Sequence, residues 1–190
     1  DVRQRGAGGV QTDIGIRGAS FEQTLILVDG VNMSDPQTGH HKMNLPITLS
    51  DIERIEVIKG PAARIYGPNA MGGVINIITR DVEENALGGR AAYGEHGYYD
   101  VGGYAAVRRG DLSSRLSAGR RSASDYLSGK DTDFDIKTIN YKGIFENDPN
   151  TFRLGAGFTD KDFGAYKFYS DAFPEQREKT ETLLLYGDAN

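Results

Sequence analysis

Two adjacent histidines, His40-His41, are the first residues in this chain whose type suggests chemistry. Imidazole holds zinc well, but ligands to one ion must converge, and neighbouring residues point apart with no carboxylate at a ligand spacing on a regular element. No metal site is expected there. Asp131, Asp133 and Asp135 open like a calcium loop, yet Ile136 stands where the turn glycine belongs and Lys142 where the bidentate glutamate belongs, which excludes an EF-hand. Glu83-Glu84 sits in an acidic linker, where solvated carboxylates are the expectation rather than an acid–base pair. The run GAGGVQ from Gly6 lacks the preceding strand and the third glycine of a phosphate-binding loop, so it reads as a turn. Arg109-Gly110-Asp111 is a tight turn, and Asn32-Met33-Ser34 is a glycosylation sequon by pattern only. No G-x-S-x-G elbow occurs, and the absence of cysteine removes thiol nucleophiles, thiolate metal sites and disulfides together. The expectation is a protein that is not an enzyme and has no cofactor.

Composition narrows the alternatives. A net charge of −5 with both signs mixed lacks the concentrated basic face that a nucleic-acid partner requires. The 25 glycines, with tyrosine (10) ahead of phenylalanine (8), fit β-structure better than helix bundles. No apolar run is long enough for a transmembrane helix, but barrel strands need only about 9–11 alternating residues each, so hydropathy leaves a membrane open.

The elements that position these residues centre on Ser50 to Arg80. Ser50 with Glu53 three residues on has the form of a capping box and predicts a helix of one or two turns, which Ile52, Ile55, Val57 and Ile58 carry into a strand. Gly60-Pro61 ends that strand, Gly67-Pro68 and Asn69 set a turn, and Gly72-Gly73 permit close approach before Val74 to Thr79, a strand read as buried on both faces. Upstream, Gln11 to Gly18 alternates, with Ile14 and Ile16 on one face and Asp13 and Arg17 on the other. Leu25 to Val28 is a continuous apolar strand closed by the hairpin signal Asp29-Gly30, and Asn32 to Pro46 reads as a long surface loop.

Four stretches in order, Ile16-Arg17-Gly18, Leu27-Val28-Asp29-Gly30, IERIEVIKGPAARIYG and NAMGGVINIITR, together resemble the plug domain of TonB-dependent outer-membrane receptors over Asp1 to Arg80. The resemblance implies an α+β plug domain over residues 1–82, its N-terminal part missing, followed over 83–190 by about six antiparallel transmembrane strands of an incomplete β-barrel. From Ala86 on, the residues agree: segments of about ten alternate. Leu87, Ala91 and Tyr93 share one face against Arg90; Val101, Ala105 and Val107 oppose Asp100 and Arg108; Leu116 and Ala118 oppose Arg115 and Ser117. Ile139, Tyr141 and Phe145 oppose Asn140 and Lys142, and Phe152, Leu154, Ala156 and Phe158 oppose Arg153 and Thr159. Thr180 to Asp188 holds Leu183-Leu184-Leu185 in a row and leaves its facing open. Connections alternate between tight turns at 109–111 and 147–150 and long loops at 123–135 and 161–179, the asymmetry of an outer-membrane barrel.

By the same resemblance the protein imports a scarce nutrient of the siderophore, corrinoid or glycan class across the outer membrane of a Gram-negative bacterium. Its partners would be that ligand, outer-membrane lipid and, through a segment absent here, the TonB energy-transducing complex. The rival reading is a soluble or surface β-rich binding module, which would bury the apolar residues that a barrel turns outward. Arg17 and Lys59 are implied as the plug's half of a lock facing glutamates of later strands, although lysine replaces the commoner arginine at 59 and offers a point charge in place of a bidentate fork. Gln37, His40, His41, Tyr66 and Asn69 lie in the loops expected at the plug apex. Amide, imidazole and phenol groups bind a polar ligand without the desolvation cost of full charges, which makes these five the candidate ligand contacts.

Overall fold

The computed structural model describes residues 1–35, 38–60 and 63–190. It divides the chain into two compact units, one made of 1–45 and 52–80, the other of 46–51 and 81–190.

The first unit opens with a hairpin, β1 (Val2–Arg5) against β2 (Gln11–Ile14), turned by Gly6, Gly8 and Gly9, all at positive φ. β3 (Thr24–Val28) is buried at every position, as its unbroken apolar run requires. Asp29 and Gly30, both at positive φ, turn it into the two-residue β4 (Val31–Asn32). β6 (Gly73–Thr79) runs parallel to β3 and antiparallel to β5 (Ile52–Lys59), giving a sheet of order β4-β3-β6-β5. Leu25, Leu27, Val74 and Ala70 form its core. Asp29 also ties the sheet, accepting the Thr79 N–H at 2.8 Å and the Thr79 hydroxyl at 2.5 Å.

Several local expectations differ here. No helix follows Ser50: residues Leu49–Asp51 form a single 3₁₀ turn and Glu53 already lies in β5, bonded to Arg54. The true cap lies two residues earlier, where the Thr48 N–H and hydroxyl donate to Asp51 Oδ2 at 2.8 and 2.9 Å. Residues 63–66 form a one-turn helix, α1 (Ala63–Tyr66), in place of the expected loop. Asp13 is buried rather than turned to solvent, because the 38–44 segment packs over it. β6 buries Val74 on one face and Ile77 and Thr79 on the other, with Ile75, Asn76 and Ile78 half-buried between them. The stretch 32–46 is less superficial than its composition suggests: Lys42 and Asn44 are buried, with Lys42 Nζ donating to the carbonyls of Phe21, Glu22 and Thr24 at 3.0, 2.9 and 3.3 Å.

In the second unit β7 (Ala86–Tyr93), β8 (Tyr99–Arg109), β9 (Leu112–Ala123), β10 (Phe134–Asn147), β11 (Asn150–Gly164) and β12 (Arg177–Ala189) pair in sequence order as one antiparallel meander. Its two faces invert the usual polarity. Asp100, Arg115, Ser117, Asn140, Lys142, Thr159 and Lys161 are buried, while Leu87, Val107, Leu116, Ile139, Phe152, Leu154 and Phe158 are exposed. Leu183 and Leu185 are exposed and Leu184 buried, which assigns the face of the last strand. The register aligns outward side chains in rows: Ala118, Ile139, Phe158 and Leu183 in one, then Arg120, Lys137, Asp160 and Glu181, then Ser122, Asp135, Asp162 and Lys179. The apolar face thus gives way abruptly to a lattice of ion pairs, among them Arg120 with Asp135 (2.8 Å), Lys137 with Asp135 (3.3 Å) and Arg177 with Asp162 (2.7 Å).

β11 and β12 extend further than expected, so the second long loop shortens to residues 165–176. At the other end of the strands, Arg108 donates to the Val82 carbonyl at 3.1 Å and pairs with Glu146 at 2.6 Å, and Lys142 reaches Asp81 at 2.7 Å, fastening the 81–85 linker.

Candidate functional site

Arg17 and Lys59, distant in sequence, are drawn toward one end of the four-stranded sheet by two glycines. A Cβ on Gly73, which pairs with Lys59 and has φ +150°, would stand 2.4 Å from the Ile58 carbonyl and 2.9 Å from Ile16. One on Gly72 would meet the Ala19 Cβ at 2.4 Å. Only glycine lets the 16–19 turn and the end of β5 approach β6 this closely. Both cations are exposed, Arg17 at a φ of 53°, and neither has a hydrogen-bonding or ion-pair partner among the described residues.

The five loop positions fare differently. Gln37 lies outside the described residues. His40 faces inward: its Nδ1 is 3.0 Å from both oxygens of Asp13 and its ring stacks on Phe21 at 4.4 Å. Gly39 makes that stacking possible, since a Cβ there would meet the Phe21 ring at 2.8 Å. His41 instead accepts from the Asn44 amide on Nδ1 at 3.2 Å, so the adjacent imidazoles serve separate partners. Tyr66 and Asn69 are exposed, Tyr66 at the end of α1 and Asn69 two residues past Gly67 at φ +91°.

A further constellation carries no sequence signature of its own. Asp51, 1% exposed, takes four hydrogen bonds: from Arg115 Nε at 3.1 Å, from Ser117 Oγ at 2.6 Å, and the two from Thr48. Arg115 Nη2 donates to the Ser50 carbonyl at 2.8 Å, and its guanidinium lies 3.8 Å over the Tyr104 ring. Asn140 donates to the Pro46 carbonyl at 3.2 Å, which Gly157 admits, because a Cβ there would stand 2.4 Å from that oxygen. A buried ion pair is tolerated where further hydrogen bonds surround it, and here Asp51 accepts four and Arg115 donates two. The one available hint is Thr48-x-x-Asp51, hidden beside the more familiar Ser50-x-x-Glu53.

The arrangement offers ion pairing and polar contact among the described residues. Among the described residues no cluster of three metal-binding side chains occurs.

Comparison with known proteins gives this geometry its context. The family model described as TonB-dependent Receptor Plug Domain matches residues 1–74. The iron-regulated outer membrane virulence protein of Vibrio cholerae serotype O1 (strain ATCC 39541) is 49% identical over 88 residues, 43% of this chain and 13% of that protein. The vitamin B12 transporter BtuB of Photobacterium profundum is 33% identical over 142 residues, 72% of this chain and 23% of that protein. The ferric yersiniabactin uptake receptor FyuA from Yersinia pestis shares the fold with a TM-score of 0.71 at 21% identity, over 98% of this chain and 33% of its own. The chain therefore spans between about an eighth and a quarter of the length of these two curated relatives. A plug domain over the first 74 residues, followed by strands that superpose on a receptor of the same kind, makes this chain part of a TonB-dependent receptor of the Gram-negative outer membrane.

Proposed function

We propose that the protein to which this chain belongs imports a scarce nutrient, of the siderophore, corrinoid or glycan class, by movement of the plug driven from the periplasm by the TonB complex. The observation that carries this reading is the inverted polarity of the six-stranded sheet, which exposes Leu116, Ile139, Phe158 and Leu185 and buries Arg115, Asn140, Lys142 and Lys161. Apolar side chains facing lipid and polar ones facing a lumen account for it; a soluble binding module would be destabilised by the same arrangement. Two of the proteins named above are described as handling different cargo, one as a vitamin B12 transporter and one as a ferric yersiniabactin uptake receptor.

Within this reading Arg17 and Lys59 are the plug's half of a reversible lock, and their carboxylate partners come from later strands. Exposed cations suit that role, since they exchange a carboxylate for water at small cost. Tyr66, Asn69, His41 and Gln37, with the outer edge of His40, form the plug's contribution to the ligand site. Uptake by the full-length receptor, expressed in an outer membrane, is the test, with labelled ferric chelates, cyanocobalamin and oligosaccharides offered in turn. Accumulation of one class that stops when the TonB complex is removed is expected; TonB-independent entry, or recovery of the protein without detergent, would overturn the reading.

A further inference from the structure

We propose that Pro46–Asp51 is a stationary strap: plug sequence that remains fastened to the β8–β11 wall while the arms on either side of it, 1–45 and 52–80, are displaced. The six residues group with the strands although both flanks group with the plug. Their attachment differs in kind from that of Arg17 and Lys59. Those cations are exposed and unpartnered among the described residues, whereas Asp51 and Arg115 are 1% and 6% exposed and close around each other with Ser117, Thr48 and the Ser50 carbonyl. Separating an exposed pair exchanges one solvated partner for another. Separating this one strands a buried charge on each side before water can reach it.

Asn140 and Gly157 extend the grip to Pro46, so the segment is held at both of its ends. Tension applied along the chain from the N-terminal side reaches the strap at residue 45 and crosses to the second arm through the β3–β6 pairing, so both arms yield around the fixed segment. The two arms, joined in one sheet, are therefore displaced together, and the strap is the part of the plug sequence that stays. The inference rests on the uptake reading for its purpose, but its test does not.

This stretch has no native cysteine, so a reporter thiol can be placed at Ile26 (first arm), Val74 (second arm) or Ile47 (strap), all buried. In the full-length receptor in detergent, carrying Ile26→Cys, Val74→Cys or Ile47→Cys, maleimide labelling is followed against urea. Labelling of Ile47→Cys is expected to come at a urea concentration higher by about 1 M or more than at the other two sites. Adding Arg115→Met should bring the Ile47→Cys transition down to theirs, and Ser117→Ala, a milder change should Arg115→Met fail to assemble, should lower it part of the way. Ile47→Cys labelling together with Ile26→Cys in the otherwise unaltered receptor would overturn the strap. A receptor that accumulates no nutrient yet protects Ile47→Cys would overturn the uptake reading and leave the strap standing.

Discussion

The two units obey opposite burial rules with the same kinds of side chain. In the first, Leu25, Leu27 and Val74 are withdrawn and the charges of Arg17, Glu53 and Lys59 are outside. In the second, Leu116 and Leu154 are outside, while Arg115, Lys142 and Lys161 are withdrawn. One physical rule covers both, because a side chain partitions toward the medium it resembles, and the medium outside the first unit is polar where that outside the second is hydrocarbon. Burial read alone would call the second unit misfolded; read with its solvent, it is as consistent as the first.

The contrast can be broken most forcefully from the inside of the first unit. Leu25→Ala opens a cavity beside Val74 and should cost about 2–5 kcal/mol, read as a lower urea midpoint for plug unfolding in the full-length receptor. The complementary substitution, Leu116→Arg, changes a residue that is 48% exposed. On a water-facing surface it would move stability by no more than about 0.5 kcal/mol. Near the middle of a lipid-facing band it should cost about 2–4 kcal/mol, measured by equilibrium folding into vesicles, and a negligible cost there would remove the basis of the comparison.

A smaller effect sharpens it. Lys42 is a buried cation in the water-facing unit, held by the carbonyls of Phe21, Glu22 and Thr24. Lys42→Met should cost about 2 kcal/mol by leaving them unpaired. Burial, partly offset by Glu22, lowers the Lys42 pKa below its usual 10.5, so in the window beneath 10.5 the folded state binds fewer protons than the unfolded one. Stability relative to Lys42→Met should therefore rise as pH is raised through that window, and a gap that narrows would contradict the assigned cause.

Much of the fold is legible in the sequence wherever a solvent boundary leaves a period of two. The strands through Leu116, Ile139 and Phe158 show their correct faces in the sequence because lipid on one side and polar groups on the other write an alternation. That signal stops where the outward face leaves hydrocarbon: Asp160, Lys161 and Asp162 are all charged, so nothing distinguishes strand from loop, and β11 runs past the end of its pattern. Helix α1 hides among glycines and prolines that signal only turns. Asp51 and Arg115 are invisible for another reason: a cross-chain ion pair leaves no local pattern, and Arg115 looks like any other polar residue of its wall.

The ion-pair lattice above the apolar rows acts as a waterline. Strand pairing does not end at the membrane surface but continues through the Arg120 and Asp135 rows, each adding about 7 Å along the strands. The loops at 124–133 and 165–176 consequently start from stiff, hydrated masonry and not from the lipid boundary. Those loops can therefore vary in length and sequence while the part of each strand that carries the apolar rows stays unchanged.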